Sequence, residues 1–357
     1  MNRKLSCSLF IRVAFKVLLI TTCGCIKERL TTVSTDSVTQ ITSNSALWSG
    51  TVISRGNTYV CFCGFCWSLL NENPDLLEHD QNVGYPSSDN YHFSQREVLT
   101  PGMNYFMRAY VVHDHGTEYG KVISFSTTGS ITGDIKFNTD LSYSSLSDND
   151  FNTYRTIKIG NQTWMAENLR TTKYNDGTAI PLVPAGPSGW AGLSTPAYCW
   201  YLNNEAKYKN NYGALYNWYC VNTDKLCPAG WHVPSYEEWE TLIAFLGGDS
   251  IAGAELRETG TAHWYESDIS NNLEATNSSG FTALPGGYLS GEIPLSWLIR
   301  NFNDIGLECI FWSSTAHSDQ TAGDRANSIG MHYASNKRCD MGAALKRSGL
   351  SVRCVKN

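Results

Sequence analysis

The chain has 357 residues, 17% of them charged, and a formal net charge of −6. Its length allows two domains with sizeable cores, and an acidic chain without a long basic run excludes nucleic acid and anionic membrane surfaces as partners bound by charge. Twelve Cys point to an oxidising compartment, and 11 Trp with 19 Tyr supply many rings that serve either cores or recognition surfaces.

The first predicted element is a leader. Arg3, Lys4, Arg12 and Lys16 precede Val17-Leu-Leu-Ile-Thr-Thr22, an apolar core shorter than the roughly 20 residues a membrane span needs. Small residues and cysteines follow, as in a bacterial lipoprotein signal. Gly24 favours lipidation at Cys25, while Ile20, three residues back, favours Cys23. An ordinary secretory peptide is the alternative. Removing residues 1–24 takes four positive charges and brings the charge from −6 to −10. The expected location is the bacterial outer membrane, lipid-anchored and facing the cell surface; Ile26-Lys-Glu-Arg29 does not decide the orientation. With Cys25 lipidated, an odd set of cysteines remains, so one is unpaired or the lipid sits on Cys23.

Residues 31–128 read as all-β. After Pro101-Gly102, Tyr105, Met107, Ala109 and Val111 share one strand face and Phe106, Arg108 and Tyr110 the other. Gly116-Thr-Glu-Tyr-Gly120 marks a turn, and Val122-Ile-Ser-Phe-Ser-Thr127 a final strand. The Leu99-x-Pro-Gly-x-x-Tyr105 corner and the closing Ser-Phe-x-Thr-Thr strand resemble a fibronectin type III-like module, which implies a spacer. Residues 129–150, rich in Ser, Asp, Asn and Gly, read as a polar linker or a loosely attached edge segment.

Residues 151–357 give an α+β pattern of short strands, long loops and one clear helix over about 236–246. Ser235 and Glu238 have the spacing of a capping box. Trp239, Leu242, Ile243 and Leu246 form one apolar stripe, and Gly247-Gly248 ends it. A second helix is expected near 251–258.

Six motifs stand in order: Ile159-Gly-Asn-Gln-Thr-Trp-Met-Ala-Glu-Asn-Leu169, Tyr212-Gly-Ala-Leu-Tyr-Asn-Trp-Tyr219, Cys227-Pro-Ala-Gly-Trp-His-Val-Pro234, Ser279-Gly-Phe-Thr-Ala-Leu-Pro-Gly-Gly287, Phe311-Trp-Ser-Ser-Thr315 and Gly349-Leu-Ser-Val-Arg-Cys-Val355. Together they resemble the Fibrobacter succinogenes major paralogous domain of bacterial surface lipoproteins. The Trp-Ser-Ser motif and closing strand are also similar to the C-type-lectin-like fold. That resemblance implies an all-β sandwich followed by an α+β, C-type-lectin-like domain, and a disulfide between Cys227 and Cys354. Closing so long a loop contributes roughly 4–5 kcal/mol in the chain-entropy model. Two buried free thiols are the alternative.

No catalytic constellation emerges. Cys61, Cys63 and Cys66 contain a CxxC spacing but lie in an alternating β run, which favours small core residues over a redox pair or zinc knuckle. His113-Asp-His115 could share a metal, yet its place before a turn favours a solvated loop. The Glu-Pro-Asn, Gln-Pro-Asp and Trp-Asn-Asp triplets of calcium-dependent lectins are missing, so sugar binding by that mechanism is not expected. Cys339 beside Lys337 and Arg338 is a poor candidate for oxidase chemistry. No metal and no cofactor are expected. The candidate ligand-binding residues are Trp297, Arg300, Asn301, Asn303, Asp324, Asn327, Tyr333 and Asn336, types that suit recognition. The expectation is an envelope-anchored binding or adhesion lipoprotein without catalytic activity, taking a glycan or protein ligand. A polysaccharide-handling component or enzyme and a structural or pilus-like assembly protein are the alternatives.

Overall fold

The structure, a computed structural model, describes residues 29–76, 79–185, 190, 192–265, 275–291, 302–318, 324–333 and 337–357. Residues 1–28, which include Cys23 and the candidate lipid site Cys25, lie outside this set. So do Trp297, Arg300, Asn301 and Asn336. The chain divides into two compact units, one ending at Thr128 and the other beginning at Gly129. No helix among the described residues is long and apolar enough to cross a membrane.

Unit 1 holds β1 (Thr31–Thr39), β2 (Ser45–Arg55), β3 (Val60–Ser68), β4 (His79–Gly84), β5 (Tyr91–Val98), β6 (Asn104–His113), β7 (Gly116–Tyr119) and β8 (Ile123–Ser126). One sheet has the order β1-β2-β5 and the other β4-β3-β6-β7, with β8 also on β6. The two form a sandwich because each strand alternates and buries one row. Tyr105, Met107, Ala109 and Val111 are all buried, as the alternation requires. Trp48 from the first sheet meets Phe65 and Trp67 from the second edge-on, at 5.8 and 5.0 Å. Tyr110 departs from the expected pattern: it is fully buried on the other face. Gly64 makes that possible, since a Cβ there would lie 2.8 Å from the Tyr110 hydroxyl. Cys63 and Cys66 are buried free thiols, each pushed up to about 12 by burial. Redox chemistry needs the thiolate, so these two fill space.

Unit 2 holds β9 (Ser144–Ser147), β10 (Thr153–Ile159), β11 (Gln162–Met165), β12 (Tyr198–Cys199), α1 (Glu205–Tyr212), β13 (Leu215–Tyr216), α2 (Trp218–Val221), β14 (Trp231–His232), α3 (Tyr236–Phe245), α4 (Asp249–Leu256), β15 (Gly286–Leu289), β16 (Phe302–Ile305), β17 (Glu308–Ala316), β18 (Arg325–His332), β19 (Asp340–Leu345) and β20 (Val355–Lys356). Its larger sheets have the orders β14-β20-β11-β10-β9 and β16-β15-β17-β18-β19. α3 starts where the capping box places it: the Glu238 N–H donates to Ser235 Oγ, and the Ser235 N–H donates back to Glu238. Trp239, Leu242 and Ile243 are buried, with Leu246 at the margin.

The six motifs exist because they touch. Arg353 is fully buried. Its Nε donates to Asn168 Oδ1 at 2.9 Å and its Nη2 to the Thr282 carbonyl at 2.8 Å. Nη1 donates to the carbonyls of Met165 and Phe281, and the guanidinium lies 4.4 Å over the Phe281 ring. Burial pulls its pKa down to about 9, so it stays charged at neutral pH. Asn168 also donates to the Tyr212 carbonyl. Trp312 Nε1 donates to the Tyr216 carbonyl, and Trp218 Nε1 to that of Ser313. Cys227 and Cys354 form a disulfide with Cα atoms 6.0 Å apart.

Residues 129–150 belong to unit 2. Ile131 is buried and accepts a hydrogen bond from the Tyr212 hydroxyl. The Lys136 N–H donates to Glu258, which pairs with His263 at 2.7 Å, both side chains fully buried. β9 is an edge strand on β10. The polar composition of this stretch reflects a one-sided edge rather than a free linker.

Candidate functional site

The described candidate residues fall at opposite ends of β18. Asp324 stands just before it and Tyr333 just after it, about 30 Å apart along an extended strand. They do not form one surface, and each end has its own chemistry.

At the Asp324 end the polar groups are used internally. Asp324 accepts from the Tyr219 hydroxyl at 2.8 Å and pairs with Lys346 at 2.6 Å. Lys346 also lies 4.8 Å over the Trp218 ring. These partners hold the Asp324 carboxyl below its usual range, Lys346 foremost, and the Tyr219 phenol is pushed up to about 12, chiefly by burial. Asn327 Oδ1 lies 2.7 Å from His317 Nδ1. A ligand here must compete with bonds already made.

The Tyr333 end is built on the tight β16–β17 turn. Asp304, at φ 59, and Gly306, at φ 83, take the left-handed conformations that reverse the chain. The Leu307 N–H donates to the Asp304 carbonyl and the Gly306 N–H to that of Pro285, from the Ser279–Gly287 motif. The remaining carbonyls of the turn then hold two aromatics: Tyr265 N–H donates to Gly306 at 2.7 Å and Tyr333 N–H to Leu307 at 2.8 Å. Their rings meet edge-on at 4.8 Å, and His332 lies 4.6 Å from Tyr333. Both tyrosines are half-buried.

Beside them the sheet register gathers acidic groups. Glu308 stands opposite His332, and Asp340 opposite Gly330. Glu308 reaches across the bare Gly330, where a Cβ would lie 3.6 Å from its Oε1. Burial, then Asp304 and Asp340, push the Glu308 carboxyl up to about 7. His332 is shifted down, chiefly by burial. A carboxylic acid pushed towards neutral pH by burial and by neighbouring carboxyl groups makes this end a candidate functional cluster.

Of the described predicted residues, Tyr333 and Asn303 lie at this end, and Asn303 is buried in β16, 6% exposed. Its neighbour Phe302 packs into the core against Tyr201 at 5.1 Å. Glu308, Asp304, Asp340 and Tyr265 were not anticipated. Cross-strand register brings them together, and a single sequence carries that only through the Asp304-Ile-Gly306 turn signal. Cys339 is buried and its thiol pushed far up by burial, against the lowering its basic neighbours suggest. His232 bridges Asn357 and Glu238, joining the C-terminal strand to α3. A cavity of about 80 Å³ beside the disulfide, lined by Leu226, Cys227 and His232 among others, is far below the size of a small-molecule site.

No curated protein matches the chain. Three solved structures of the sensor domain of the anti-sigma factor RsgI4 from Pseudobacteroides cellulosolvens overlap with it over 28% of the chain. A structure of the short form of that domain is 16% identical, with 94% of it covered and a TM-score of 0.23. A solution structure is 19% identical, with 76% covered and a TM-score of 0.23. A structure of the long form is 19% identical, with 90% covered and a TM-score of 0.20. At these scores the likeness supports no argument about fold or function. The family model of the Fibrobacter succinogenes major domain matches residues 157–356, the span over which the buried motifs meet, and the chain belongs to that family.

Proposed function

We propose that the protein is an envelope-anchored lipoprotein of the bacterial outer membrane that displays a non-catalytic binding module at the cell surface. The leader and its cysteines support the anchor. Unit 1 is read as a fibronectin type III-like spacer. What supports this is its β1-β2-β5 and β4-β3-β6-β7 strand orders, together with the Tyr105 hydroxyl accepting from the Thr100 N–H at 2.8 Å, a tyrosine corner. Unit 2 is read as C-type-lectin-like. What supports this is a late strand, β20, paired with the early β11 and closed by the disulfide.

The observation that carries the binding reading is the Tyr265–Tyr333 pair beside Asp304, Glu308 and Asp340. Rings offer rigid apolar area, and carboxylates accept hydrogen bonds from hydroxyls, a combination suited to a glycan. The full chain, screened on glycan and protein arrays with and without calcium, is expected to give a glycan hit that Tyr333→Ala and Tyr265→Ala each weaken. Silence on both arrays from folded protein would remove the reading.

A second reading, a polysaccharide-acting enzyme, is favoured by Glu308 alone. A carboxylic acid pushed up to about 7, with the Asp304 and Asp340 side chains beside it, suits the acid role of acid–base catalysis. Product release from a glycan panel, abolished in Glu308→Gln, would support it; no release would leave Glu308 as a binding group.

A further inference from the structure

The tip of the β6–β7 hairpin in unit 1 carries His113, Asp114 and His115, with one ligand atom of each within 4.8 Å of the others. The turn is pinned: the Asp114 N–H donates to the Tyr59 carbonyl at 3.0 Å, and the Tyr59 N–H donates to Asp114 Oδ1 at 3.1 Å. The His115 N–H donates to His113 Nδ1 at 3.2 Å. That nitrogen therefore carries a lone pair facing the turn, and the proton of the neutral ring sits on Nε2. The His113 side chain is only 7% exposed, and its buried Nε2 makes no hydrogen bond, with Glu118 Oε1 at 3.8 Å. Asp114 Oδ1 lies 2.9 Å from His115 Nδ1 and 4.0 Å from His113 Nδ1.

We propose that this turn binds a divalent transition metal, best Zn²⁺, through His113 Nδ1, Asp114 Oδ1 and His115 Nδ1. Bonds of about 2.0–2.2 Å in a tetrahedral set hold ligand atoms about 3.3 Å apart. The 2.9 and 4.0 Å separations from Asp114 bracket that value, and with a ligand atom of each residue within 4.8 Å of the others, side-chain rotations of about an ångström close the set. Two imidazoles and one carboxylate select Zn²⁺, Ni²⁺ or Cu²⁺ over the oxygen-seeking Ca²⁺ and Mg²⁺. The long hydrogen bond from the His115 N–H gives way to the metal at His113 Nδ1. Drawing density from the ring sharpens the Nε2–H as a donor, and Glu118 is the carboxylate placed to receive it, the arrangement that orients metal-bound histidines. Three protein ligands leave a fourth position for water or an outside donor.

Calorimetric titration of chelator-treated full chain with Zn²⁺ is expected to show one ion per chain at this turn. His115→Ala removes a ligand whose side chain is 72% exposed, so the fold is untouched; it is expected to weaken binding more than tenfold. Glu118→Gln, also at an exposed side chain, is expected to weaken it about tenfold or more. Co²⁺ in place of Zn²⁺ is expected to give the visible absorption of tetrahedral coordination, lost in His115→Ala. No Zn²⁺ uptake by the folded protein, or uptake that neither variant alters, would overturn the proposal.

Discussion

The two units are both mostly sheet, yet their interiors are built on opposite principles. Unit 1 buries apolar and aromatic rows between two sheets. Unit 2 buries a cation, an acid–imidazole pair and a disulfide, and its defining contacts join residues up to 188 positions apart. A core of interchangeable apolar side chains tolerates substitution as long as volume is kept. A core organised around one buried arginine does not, because each carbonyl aimed at it is left without a partner when it goes. Sequence identity should therefore matter at few positions in unit 1 and at many in unit 2.

The widest test of that contrast is the disulfide. Reduction, or Cys227→Ser with Cys354→Ser, is expected to cost unit 2 about 5 kcal/mol in the chain-entropy model, given a separation of 127 residues. Two melting transitions, of which one moves in the double variant, would confirm that the units depend on different forces; a single unchanged melt would break the comparison. Next is Arg353→Ala, which strands the carbonyls of Met165, Phe281 and Thr282 and is expected to cost about 3–5 kcal/mol. Arg353→Met, matched in volume, should recover little, because the carbonyls still lack donors; chemical denaturation would show recovery if packing were the main term. In unit 1, Tyr105→Phe removes the acceptor for the Thr100 N–H and is expected to cost about 1–3 kcal/mol, read in the transition that the Cys227→Ser, Cys354→Ser variant leaves in place.

The smallest effect concerns pH. Glu308 holds its proton to about pH 7, against 4.5 for the free side chain. The folded state binds more protons than the unfolded one between those values, so this group lowers stability as pH rises through that window. Glu308→Gln should match the parent near pH 4.5 and melt increasingly higher than it as pH rises to 8. Equal melting at both values would show that Glu308 is not held in its acid form.

How far the fold could be read in advance follows the same division. The alternation from Tyr105 to Val111 placed β6 and its buried row, and Ser235 with Glu238 placed the start of α3, because both signals are local. Tyr110 escaped because its burial depends on Gly64, a residue on another strand. The motifs around Asn168, Trp218, Phe281 and Trp312 marked unit 2 without disclosing why they exist; their meeting at Arg353 and along the two tryptophan N–H bonds is tertiary information. The abundance of tryptophan gave no hint of role. Trp48, Trp164, Trp190, Trp239, Trp264 and Trp312 all proved to be core. The candidate site was the least readable part. Glu308, Asp340 and His332 are brought together by register across three strands, and Asp304 by a turn.

Strand β20 lies inside its sheet, between β14 and β11, although Val355 and Lys356 are nearly the last residues of the chain. A nascent polypeptide therefore completes every strand of unit 1 more than two hundred residues before the one that closes unit 2 leaves the ribosome. Until then Arg353 has not met its carbonyls and Cys227 has no partner to oxidise with. A chain lacking β20 would carry a finished first unit and a second one whose five-stranded sheet has lost the strand between β14 and β11. Closure of unit 2 thus waits on one late strand, whereas the described strands of unit 1 all precede Thr128.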